Sequence, residues 1–409
     1  MEKKKKPAIR FKRFTDSWEQ RKLGDVVNRV TRKNQDLVSE LPLTISAQYG
    51  LIDQNEFFDK RVASKDVSGY YLIENGEFAY NKSTSTDAPW GAVKRLDHYE
   101  NGVLSTLYIV FGIKENNPID SNFLVSYYNT NLWHKGIREI AAEGARNHGL
   151  LNIVPADFFE TELMIPQDIE EQKQIGKFFK ELEALITLHQ RKYDKLQIIK
   201  KAMLEKMFPQ NGSCFPEIRF KGFTDSWEQR KLGELGEIMT GSTPSTSKSE
   251  YYSEDGIPWV TPTDINSQTI SDTPRKLSGE GIKVGRVVPA NTILCTCIAS
   301  IGKNTLLTVK GSFNQQINCL TPNEYNDAYF LLTESEIWSN IMKRMAAAGT
   351  MQIVNKTEFS ELTTMVPKLE EQKKIGQYFH TIGHLITLHQ REVEKLQNIK
   401  KSMLETMFV

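Results

Sequence analysis

The chain has 409 residues, of which 39% are hydrophobic and 25% charged, and its formal net charge is +1 at pH 7. This length predicts about two to four folded units. No apolar run approaches the roughly 18 residues of a membrane span, and the basic N-terminal stretch is not followed by the apolar core of a secretory signal. We therefore expect a cytoplasmic protein with no membrane partner.

The charge is balanced within the chain as well as overall. Positions 26–157 contain 13 Lys or Arg against 16 Asp or Glu, and positions 235–357 contain 10 against 11. Neither region has the basic excess that marks a nucleic-acid-binding domain. Any contact with DNA must come from local clusters or from a partner that supplies positive charge. The cysteines lack paired CxxC spacing and predict reduced structural thiols.

A repeated entry segment opens each half of the chain. The sequence IRFKRFTDSWEQRKLGD at positions 9–25 recurs as IRFKGFTDSWEQRKLGE at positions 218–234, an offset of 209. In the first copy Asp16 precedes Glu19 by three residues, a spacing that predicts a capping box at the start of a short helix, and the second copy repeats it. We expect the single Trp of each copy to be a buried packing residue. These residues are Trp18 and Trp227.

A different insert follows each entry segment, and both inserts contain short apolar runs divided by Gly, Asn and Asp. The first contains GYYLI, EFAYNKS and GVLSTLYIVFGI; the second contains GIPWVTPTDI, GRVVPANTILCTCIASIG and NTLLTVKGSFNQQINCL. Such runs predict strands, so we expect two α+β domains with curved, mostly antiparallel sheets. A helical stretch ends each insert, LVSYYNTNLWHKGIREIAA in the first and AYFLLTESEIWSNIMKRMAA in the second.

A longer repeat closes each half, because positions 170–208 and 370–408 are identical at 25 of 39 positions. Residues at seven-residue spacing form a stripe that predicts a coiled-coil seam. The stripe consists of Ile175, Leu182, His189, Leu196 and Met203 in the first copy and Ile375, Ile382, His389, Leu396 and Met403 in the second. Each helix would be about 58 Å long. We expect the two helices to bury their stripes against each other as an antiparallel pair, with the histidines setting the register rather than binding a metal.

The two repeats together are circular. Their offsets, 209 and 200, add to the chain length. The first long helix directly precedes the second entry segment. If the two chain ends were joined, the second long helix would precede the first entry segment in the same way. We expect a pseudo-two-fold arrangement in which the two chain ends lie close together and two copies of one partner surface are present.

Motifs of catalysis are missing from the sequence. It contains no GxxxxGK[ST] loop, no HExxH, no GxSxG, no GxGxxG after a strand, and no Pro-Pro-aromatic motif of adenine methyltransferases. Asp87 and Asp264 are interpreted as turn caps. We expect no catalytic residue, no metal and no cofactor in this chain. Two other hypotheses stay open: a coiled-coil assembly scaffold that binds proteins only, favoured by the balanced charge, and a nuclease assembled from scattered carboxylates.

Over essentially its whole length the chain resembles the specificity subunit of type I restriction-modification systems. The stretch from Gly236 to Ile265 is similar to the opening of a target recognition domain, and GRVVPANTILCTCIASIGK and FNQQINCLTP continue the likeness. The first insert resembles a different type of recognition domain through YNKSTSTDAPWGAVKRLDHYENGVLSTLYIVFGI and ARNHGLLNI. Each half ends in the family's Pro and EEQKxIG, although the spacing from Pro166 to the motif is one residue longer than the spacing from Pro367.

The resemblance implies that each insert recognises one half of a split, asymmetric DNA sequence. It implies that the helices fix the spacing, that two modification subunits dock to methylate adenine N6, and that restriction subunits complete the nuclease. S-adenosylmethionine, ATP and Mg²⁺ would then be bound by these partners. The corresponding divisions are 1–157 (entry segment and first recognition domain), 158–208 (central helical region), 209–357 (entry segment and second recognition domain) and 358–409 (distal helical region).

Polar loops in both inserts are candidates for DNA contact, because Arg or Lys suits guanine, and Asn or Gln suits adenine. The candidates of the first domain are Asn81, Lys82, Ser83, Thr84, Lys94, Arg95, Arg146, Asn147 and His148. Those of the second are Thr243, Ser245, Lys248, Tyr251, Tyr252, Thr261, Thr263, Lys303, Gln315 and Gln316. We expect Trp90 and Trp259 to pack in the cores rather than to stack on bases.

Overall fold

A computed structural model describes residues 6–46, 49–86, 88–116, 119–141, 149–210, 212–348 and 353–409. The chain folds into two compact units, the first formed by residues 1–188 and 393–409 and the second by residues 189–392. Each unit therefore combines one entry segment, one insert and parts of both long helices. Within the described ranges, none of the helices combines the length and apolarity needed to cross a membrane.

The first unit contains short strands and helices that lead into a long helix. The strands are β1 (Glu19–Lys22), β2 (Val27–Val30), β3 (Leu43–Ser46), β4 (Gly50–Asp53), β5 (Tyr71–Glu74), β6 (Phe78–Asn81), β7 (Ala92–Arg95), β8 (Asn101–Leu104), β9 (Ile109–Ile113) and β10 (Glu162–Ile165). The helices are α1 (Leu23–Val26), α2 (Gln54–Phe58), α3 (Ser121–Tyr128), α4 (His134–Ile140), α5 (Pro155–Phe159) and α6 (Ile169–Lys206). The predicted strand runs are confirmed, while the predicted helical stretch divides into α3 and α4.

Over the described part of the first unit, the strands pair antiparallel in four sheets. A four-stranded sheet has the order β2-β9-β6-β7, and the pairs β1-β10, β3-β4 and β5-β8 are separate. Register places Phe78 opposite Phe111, and their stacked rings are 5.3 Å apart. Both side chains are fully buried, so this cross-strand aromatic pair anchors the core beneath the polar end of β6.

The second unit repeats the plan with a larger insert. Its strands are β11 (Glu228–Lys231), β12 (Gly236–Thr240), β13 (Tyr252–Val260), β14 (Thr269–Ile270), β15 (Lys276–Leu277), β16 (Val287–Val288), β17 (Thr292–Thr296), β18 (Asn304–Leu307), β19 (Gly311–Phe313), β20 (Ile317–Pro322) and β21 (Thr363–Val366). Its helices are α7 (Leu232–Leu235), α8 (Gly279–Val284), α9 (Ala328–Ala348), α10 (Lys356–Glu361) and α11 (Leu369–Thr406), with a 3₁₀ turn at Ser249–Tyr251.

In the second unit, the residues that the structure describes form three sheets. Their orders are β12-β20-β17-β18-β14, β15-β13-β19-β16 and β11-β21. The pairs β13-β19 and β14-β18 are parallel and the other ladders are antiparallel, which confirms a mostly antiparallel domain. Cys295, Cys297 and Cys319 are buried and free, and Cys214 is exposed and free.

The predicted capping boxes are wrong. Glu19 belongs to strand β1, where it pairs with Ile165 of β10. The short helix starts only at Leu23, where the Asp25 carboxylate accepts a hydrogen bond from the Lys22 backbone N–H at 3.2 Å. The second copy shows the same displacement, with β11 preceding α7. Pairing with the strand before each long helix holds these residues extended, and this tertiary contact overrides the local capping pattern.

The two long helices are confirmed, and each has 38 residues. They start 200 positions apart although Pro166 and Pro367 are 201 apart, so the extra residue is absorbed before the helix begins. The predicted seam residues are all buried or half-buried. In the first unit the last turns of α11 and Phe408, which follows the helix, pack with Ile175 and Phe179 of α6. In the second unit the last turns of α6 pack in the same way on the start of α11, so the paired segments run antiparallel.

Contacts of the first entry segment close the circular repeat. The backbone N–H of Ile9 donates to the carbonyl oxygen of Thr406 at 3.0 Å. The Arg10 guanidinium donates to both carboxylate oxygens of Glu171, at 2.5 and 2.6 Å. Segments near the two ends of the chain thus meet in one unit, as the circular pattern predicts.

The second entry segment makes the equivalent contacts. Ile218 donates through its backbone to Lys206 at 2.8 Å, and Arg219 binds both oxygens of Glu371 at 2.7 Å. The side chains of Glu171 and Glu371 are almost fully buried, so each is a buried charge neutralised by one arginine. The entry-segment tryptophans are also buried, as predicted, and each meets the Phe at the end of a long helix. These pairs are Trp18 with Phe408 and Trp227 with Phe208.

Candidate nucleic-acid interface

Three loops of the second unit lie side by side. Loop A (241–248) follows β12, loop B (261–264) follows β13, and loop C (314–316) joins β19 to β20. The backbone N–H of Asn314 donates to Val260 at 2.8 Å, where loop B begins, and its side-chain amide donates to the Thr243 hydroxyl at 3.3 Å. Strand pairing therefore brings three separate polar segments to one edge of the unit.

Predicted DNA-contact residues occupy each of these loops. Thr243, Ser245, Thr263 and Gln315 are exposed, while Lys248 is exposed on loop A with its ammonium 3.1 Å from the Tyr251 hydroxyl. That hydrogen bond is the main reason why the pKa of Lys248 lies above its ordinary value, so the lysine stays charged. Gln316, beside Gln315, and Thr261, at the start of loop B, are half-buried.

Asp264 shapes loop B as a turn cap, which confirms its interpretation. One carboxylate oxygen accepts hydrogen bonds from the Thr261 backbone at 2.8 Å and from the Thr261 hydroxyl at 2.6 Å. The Thr261 and Thr263 hydroxyl oxygens are 2.8 Å apart. The loop thus presents a short row of hydroxyl groups, which suit phosphate or base-edge contacts.

Tyr252 and Trp259 hold loop A through hydrogen bonds to its backbone. The Tyr252 hydroxyl donates to Pro244 at 2.7 Å, and the indole N–H of Trp259 donates to Ser242 at 3.0 Å. Trp259 is buried, as predicted. Tyr252 is half-buried and its ring meets Trp259 edge-on, so its hydroxyl is engaged in holding the loop.

Two arginines missed in the sequence also lie beside loop A. The Arg275 guanidinium is 5.4 Å from the Tyr252 ring centroid and 5.9 Å from that of Trp259. Arg286 is exposed, and its guanidinium donates to Thr240 at 2.5 Å. Their positions in turns, one after a Pro and the other after a Gly, are features of the sequence that mark them as loop cations.

Lys303 lies on the turn between β17 and β18, at a cavity of about 580 Å³. The cavity is also lined by Lys200 of α6 and Lys343 of α9. The first residue of this turn bonds to loop C, because the N–H of Cys297 donates to the carbonyl oxygen of Gln316 at 2.9 Å. The cavity is therefore next to loops B and C within the second unit.

In the first unit the predicted polar loop after β6 meets the segment at 149–151. Thr84 donates to Gly149 through its backbone at 2.6 Å and through its hydroxyl at 3.0 Å, while Lys82 accepts from Leu151. Burial lowers the pKa of Lys82. Ser83 is exposed, while Asn81 and Thr84 are half-buried. Arg146, Asn147 and His148, like Asp87, lie outside the described residues.

Lys94 and Arg95 have protein partners. The Arg95 guanidinium donates to Asp97, Ser121 and Asn122 at 2.6 to 3.0 Å. Lys94 donates to Asn129 at 3.2 Å, and burial lowers its pKa, with a further contribution from Lys400. Both side chains fasten β7 to helix α3 and the residue that follows it, an arrangement that the strand pattern does not reveal. Their contact with DNA stays a prediction. Trp90 is half-buried against the core of this unit.

The seam histidines meet in the second unit. The Nδ1 atoms of His189 and His389 are 3.1 Å apart. Burial, His189 and Lys192 lower the pKa of His389, which favours the neutral ring and one shared hydrogen. Across the described ranges, no three His, Cys, Asp or Glu side chains gather as metal ligands would. That this histidine pair sets the register of the two long helices stays a prediction.

Comparison with known proteins gives the two halves a common family. Residues 15–197 and 224–398 match the model of the type I restriction modification DNA specificity domain. The HindI specificity subunit of Haemophilus influenzae is 29% identical over 214 residues, which are 50% of this chain and 46% of that protein. The MjaIX specificity subunit of Methanocaldococcus jannaschii is likewise matched over only 46% of its length.

Longer matches cover the whole arrangement. The putative MjaX specificity subunit of Methanocaldococcus jannaschii is 22% identical over 406 residues, or 96% of this chain and 93% of that protein. The crystal structure of a type I restriction-modification S subunit from M. genitalium superposes with a TM-score of 0.67 over 99% of both chains at 14% identity, a likeness of fold. This chain therefore belongs to the family of type I restriction-modification specificity subunits and carries two DNA-specificity domains.

Proposed function

We propose that this chain directs a type I restriction-modification complex to a split DNA sequence, each recognition domain binding one half. The observation that carries the proposal is a repeated frame with unlike inserts. The frame consists of the entry segments (9–25 and 218–234), the strands paired with them and the long helices (169–206 and 369–406). The Arg10 to Glu171 and Arg219 to Glu371 contacts have the same geometry, whereas the inserts between them have different sheets. A frame held constant while the inserts differ supports two readers of two different half-sites.

The long helices are proposed to set the distance between the half-sites. Each is about 57 Å long, which exceeds one turn of B-DNA, about 34 Å. Half-sites on successive turns of one DNA face would suit helices of this length. The recognition domains are proposed to occupy residues 1–157 and 209–357, with the helical regions at 158–208 and 358–409.

Exposed apolar side chains on the same helices support docking of partner subunits. Leu188 and its counterpart Leu388, 200 positions later, are 46% and 44% exposed, and Leu185 and Ile198 are also exposed. Exposed leucines on a long helix favour a helical partner. Two equivalent positions fit two modification subunits, with restriction subunits joining the complex.

S-adenosylmethionine, ATP and Mg²⁺ are proposed to bind those partners, and this chain is proposed to be non-catalytic. Its free cysteines fit the reducing cytoplasm.

In the second domain the three loops are proposed to enter the DNA groove, with Gln315 and Gln316 as donors to base edges. In the first domain the loop from Asn81 to Thr84, with Arg146, Asn147 and His148, is proposed for the same task. Base contacts by these side chains would specify the sequence, while lysines contact phosphate. The balanced charge of the inserts means that part of the affinity must come from partner subunits.

The direct test is coexpression with a cognate modification subunit, followed by mapping of N6-methyladenine across the host genome. The proposal predicts a split motif with one methylated adenine on each strand. A stable complex with modification subunits that adds no methylation would contradict it and favour the assembly scaffold, for which the balanced charge is the supporting observation. Metal-dependent DNA cleavage by this chain alone would favour an enzyme instead.

A further inference from the structure

We propose that the cavity beside Lys303 holds a phosphate of the DNA backbone next to the half-site of the second domain. This inference rests on the proposed function. It assigns to Lys303 and Lys343 a positioning contact that carries no sequence information, with Lys200 paired to Glu336 beside them.

The first argument is charge. The described lining of the cavity includes these three lysines and a single carboxylate, Glu336. The Lys200 ammonium lies 2.5 Å from a Glu336 oxygen, so this pair neutralises itself. Lys303 and Lys343 are exposed and make no ion pair with any described residue. Two cations are therefore left facing the cavity, and an anion would relieve their mutual repulsion.

Backbone geometry brings these two cations together. Gly302 has a φ of +82°, a conformation that favours glycine. A Cβ at this position would stand 3.0 Å from the Lys343 Cε and 3.0 Å from the Ser339 Cβ. Absence of a side chain at 302 thus lets the Lys343 stem cross the turn directly before Lys303.

Polar neighbours complete a surface suited to phosphodiester oxygens. Asn266, Ser267, Gln268 and Asn340 line the same cavity, and their amide and hydroxyl groups donate hydrogen bonds. With ammonium groups on two sides and neutral donors between them, the cavity matches a singly charged, oxygen-rich group better than a base or an apolar ligand.

Continuity with the loops identifies DNA as the source of the phosphate. Asn266 lies two residues after loop B and donates through its amide to the carbonyl oxygen of Thr263 at 2.7 Å. Lys303 lies on the turn whose first residue, Cys297, bonds to Gln316 of loop C. A DNA strand that contacts loops B and C therefore passes beside the cavity within the same unit.

Among the residues that the structure describes, the first unit does not repeat this arrangement, although its helix carries the equivalent lysine. Lys400, 200 positions after Lys200, pairs with Glu183. In the second copy Glu183 is replaced by Gly383, so Lys200 has lost that partner and bonds instead to Glu336 at the cavity. The proposed phosphate contact is therefore specific to the second half-site.

The test uses the complete complex with modification subunits and duplex DNA carrying the mapped motif. Binding is measured between 50 and 200 mM salt for wild type, Lys303→Ala, Lys343→Ala and the double variant. Because the two lysines share one phosphate, the double change should reduce the slope of log affinity against log salt by about 0.9, and each single change should reduce it by less. Affinity should fall by the same factor on DNA with and without the motif, and the methylated motif should be unchanged.

Lys356→Ala, at the start of α10, is the matched control, because this exposed lysine does not line the cavity. Lys200→Ala should weaken binding more than either single change, since Glu336 then faces the phosphate, and adding Glu336→Gln should restore part of the loss.

An unchanged salt slope in the double variant, while wild type still methylates its split motif, would overturn the phosphate site and leave the proposed function standing. Loss of motif specificity in Lys343→Ala would overturn the positioning role, and a wild-type complex without specific binding would overturn both proposals.

Discussion

The two units have the same frame but different inserts, and the comparison shows which contacts are independent of the inserts. Both frames use one arginine on one buried glutamate, a tryptophan on a terminal phenylalanine, and a strand paired with the segment before the long helix. All of these partners lie in entry segments or helical regions. The insert can therefore change its sheets without disturbing the frame.

The units differ where the inserts touch the frame. Helices α3 and α9 start with equivalent aspartates, Asp120 and Asp327, each capping its own helix. Seven residues later the first unit has Tyr127 and the second has Glu334. The Tyr127 hydroxyl bonds to β10 at 3.4 Å, whereas Glu334 accepts a hydrogen bond from Thr364 of β21. A phenol and a carboxyl group thus fill one place in the repeat, with different dependence on pH.

Breaking the buried ion pair should have the largest effect on stability. Arg219→Ala leaves the Glu371 carboxylate, 2% exposed, without its arginine, which should cost about 3–5 kcal/mol. Arg10→Ala should do the same through Glu171. Hydrogen exchange should show lost protection in the frame of the altered unit.

Arg230→Ala is the control, because its partner Glu228 is 65% exposed and exposed pairs contribute little. Equal loss of protection in Arg219→Ala and Arg230→Ala would contradict the importance assigned to the buried pair.

Glu334 should make the second unit sensitive to pH. Burial raises the pKa of this carboxyl to about 8, so the folded state favours the neutral acid. Stability is then highest below the ordinary pKa of about 4.5 and falls as pH rises toward 8, by up to about 1.4 kcal/mol per pH unit. Glu334→Gln should flatten this dependence in denaturant titrations between pH 5 and 8. A slope that persists in the Gln variant would assign the pH dependence to another group.

The glycine shared by both helices should tolerate no side chain. A Cβ at Gly176 would lie 2.6 Å from the Phe123 backbone nitrogen, and at Gly376 2.8 Å from that of Phe330. Overpacking of this kind costs about 1–3 kcal/mol, which exceeds the gain of about 1 kcal/mol in helix propensity from Ala. Thermal unfolding of Gly176→Ala and Gly376→Ala should show destabilisation.

Gly383→Ala in α11 provides the matched control. There the three atoms nearest to a Cβ all belong to the flexible end of the Gln268 side chain, so the helix-propensity gain should dominate and stability should be equal or higher. Destabilisation by Gly383→Ala to the same extent would show that the helices require glycine for another reason.

The smallest effect should come from the seam histidines. Because the pKa of His389 is lowered in the folded state, stability should be constant above about pH 6.5 and should fall below it as the ring is forced to protonate. A His189→Leu/His389→Leu double variant should lose this dependence in hydrogen exchange of the helices measured at pH 7 and pH 5. Retention of the same pH response would exclude the pair as its source.

Repeats in the sequence predicted the frame because they recur with fixed offsets. The heptad stripe located both helices, and the two offsets predicted that Ile9 and the end of α11 meet. The short helix of the entry segment was misplaced, because residues 19–22 form a strand that pairs with β10, about 140 residues later. The sequence likewise predicts that Arg95 is free to contact DNA, but its guanidinium is held by Ser121 and Asn122 of α3. Such contacts depend on tertiary packing and leave no local pattern.

The central claim is that the unlike inserts act as independent readers, and exchanging one insert tests it most directly. Residues 26–157 are replaced by the corresponding insert of a relative with a different target, and the hybrid is coexpressed with the modification subunit. The account predicts that methylation mapping finds one half of the split motif changed and the other half and its adenine unchanged. A motif changed in both halves would contradict it.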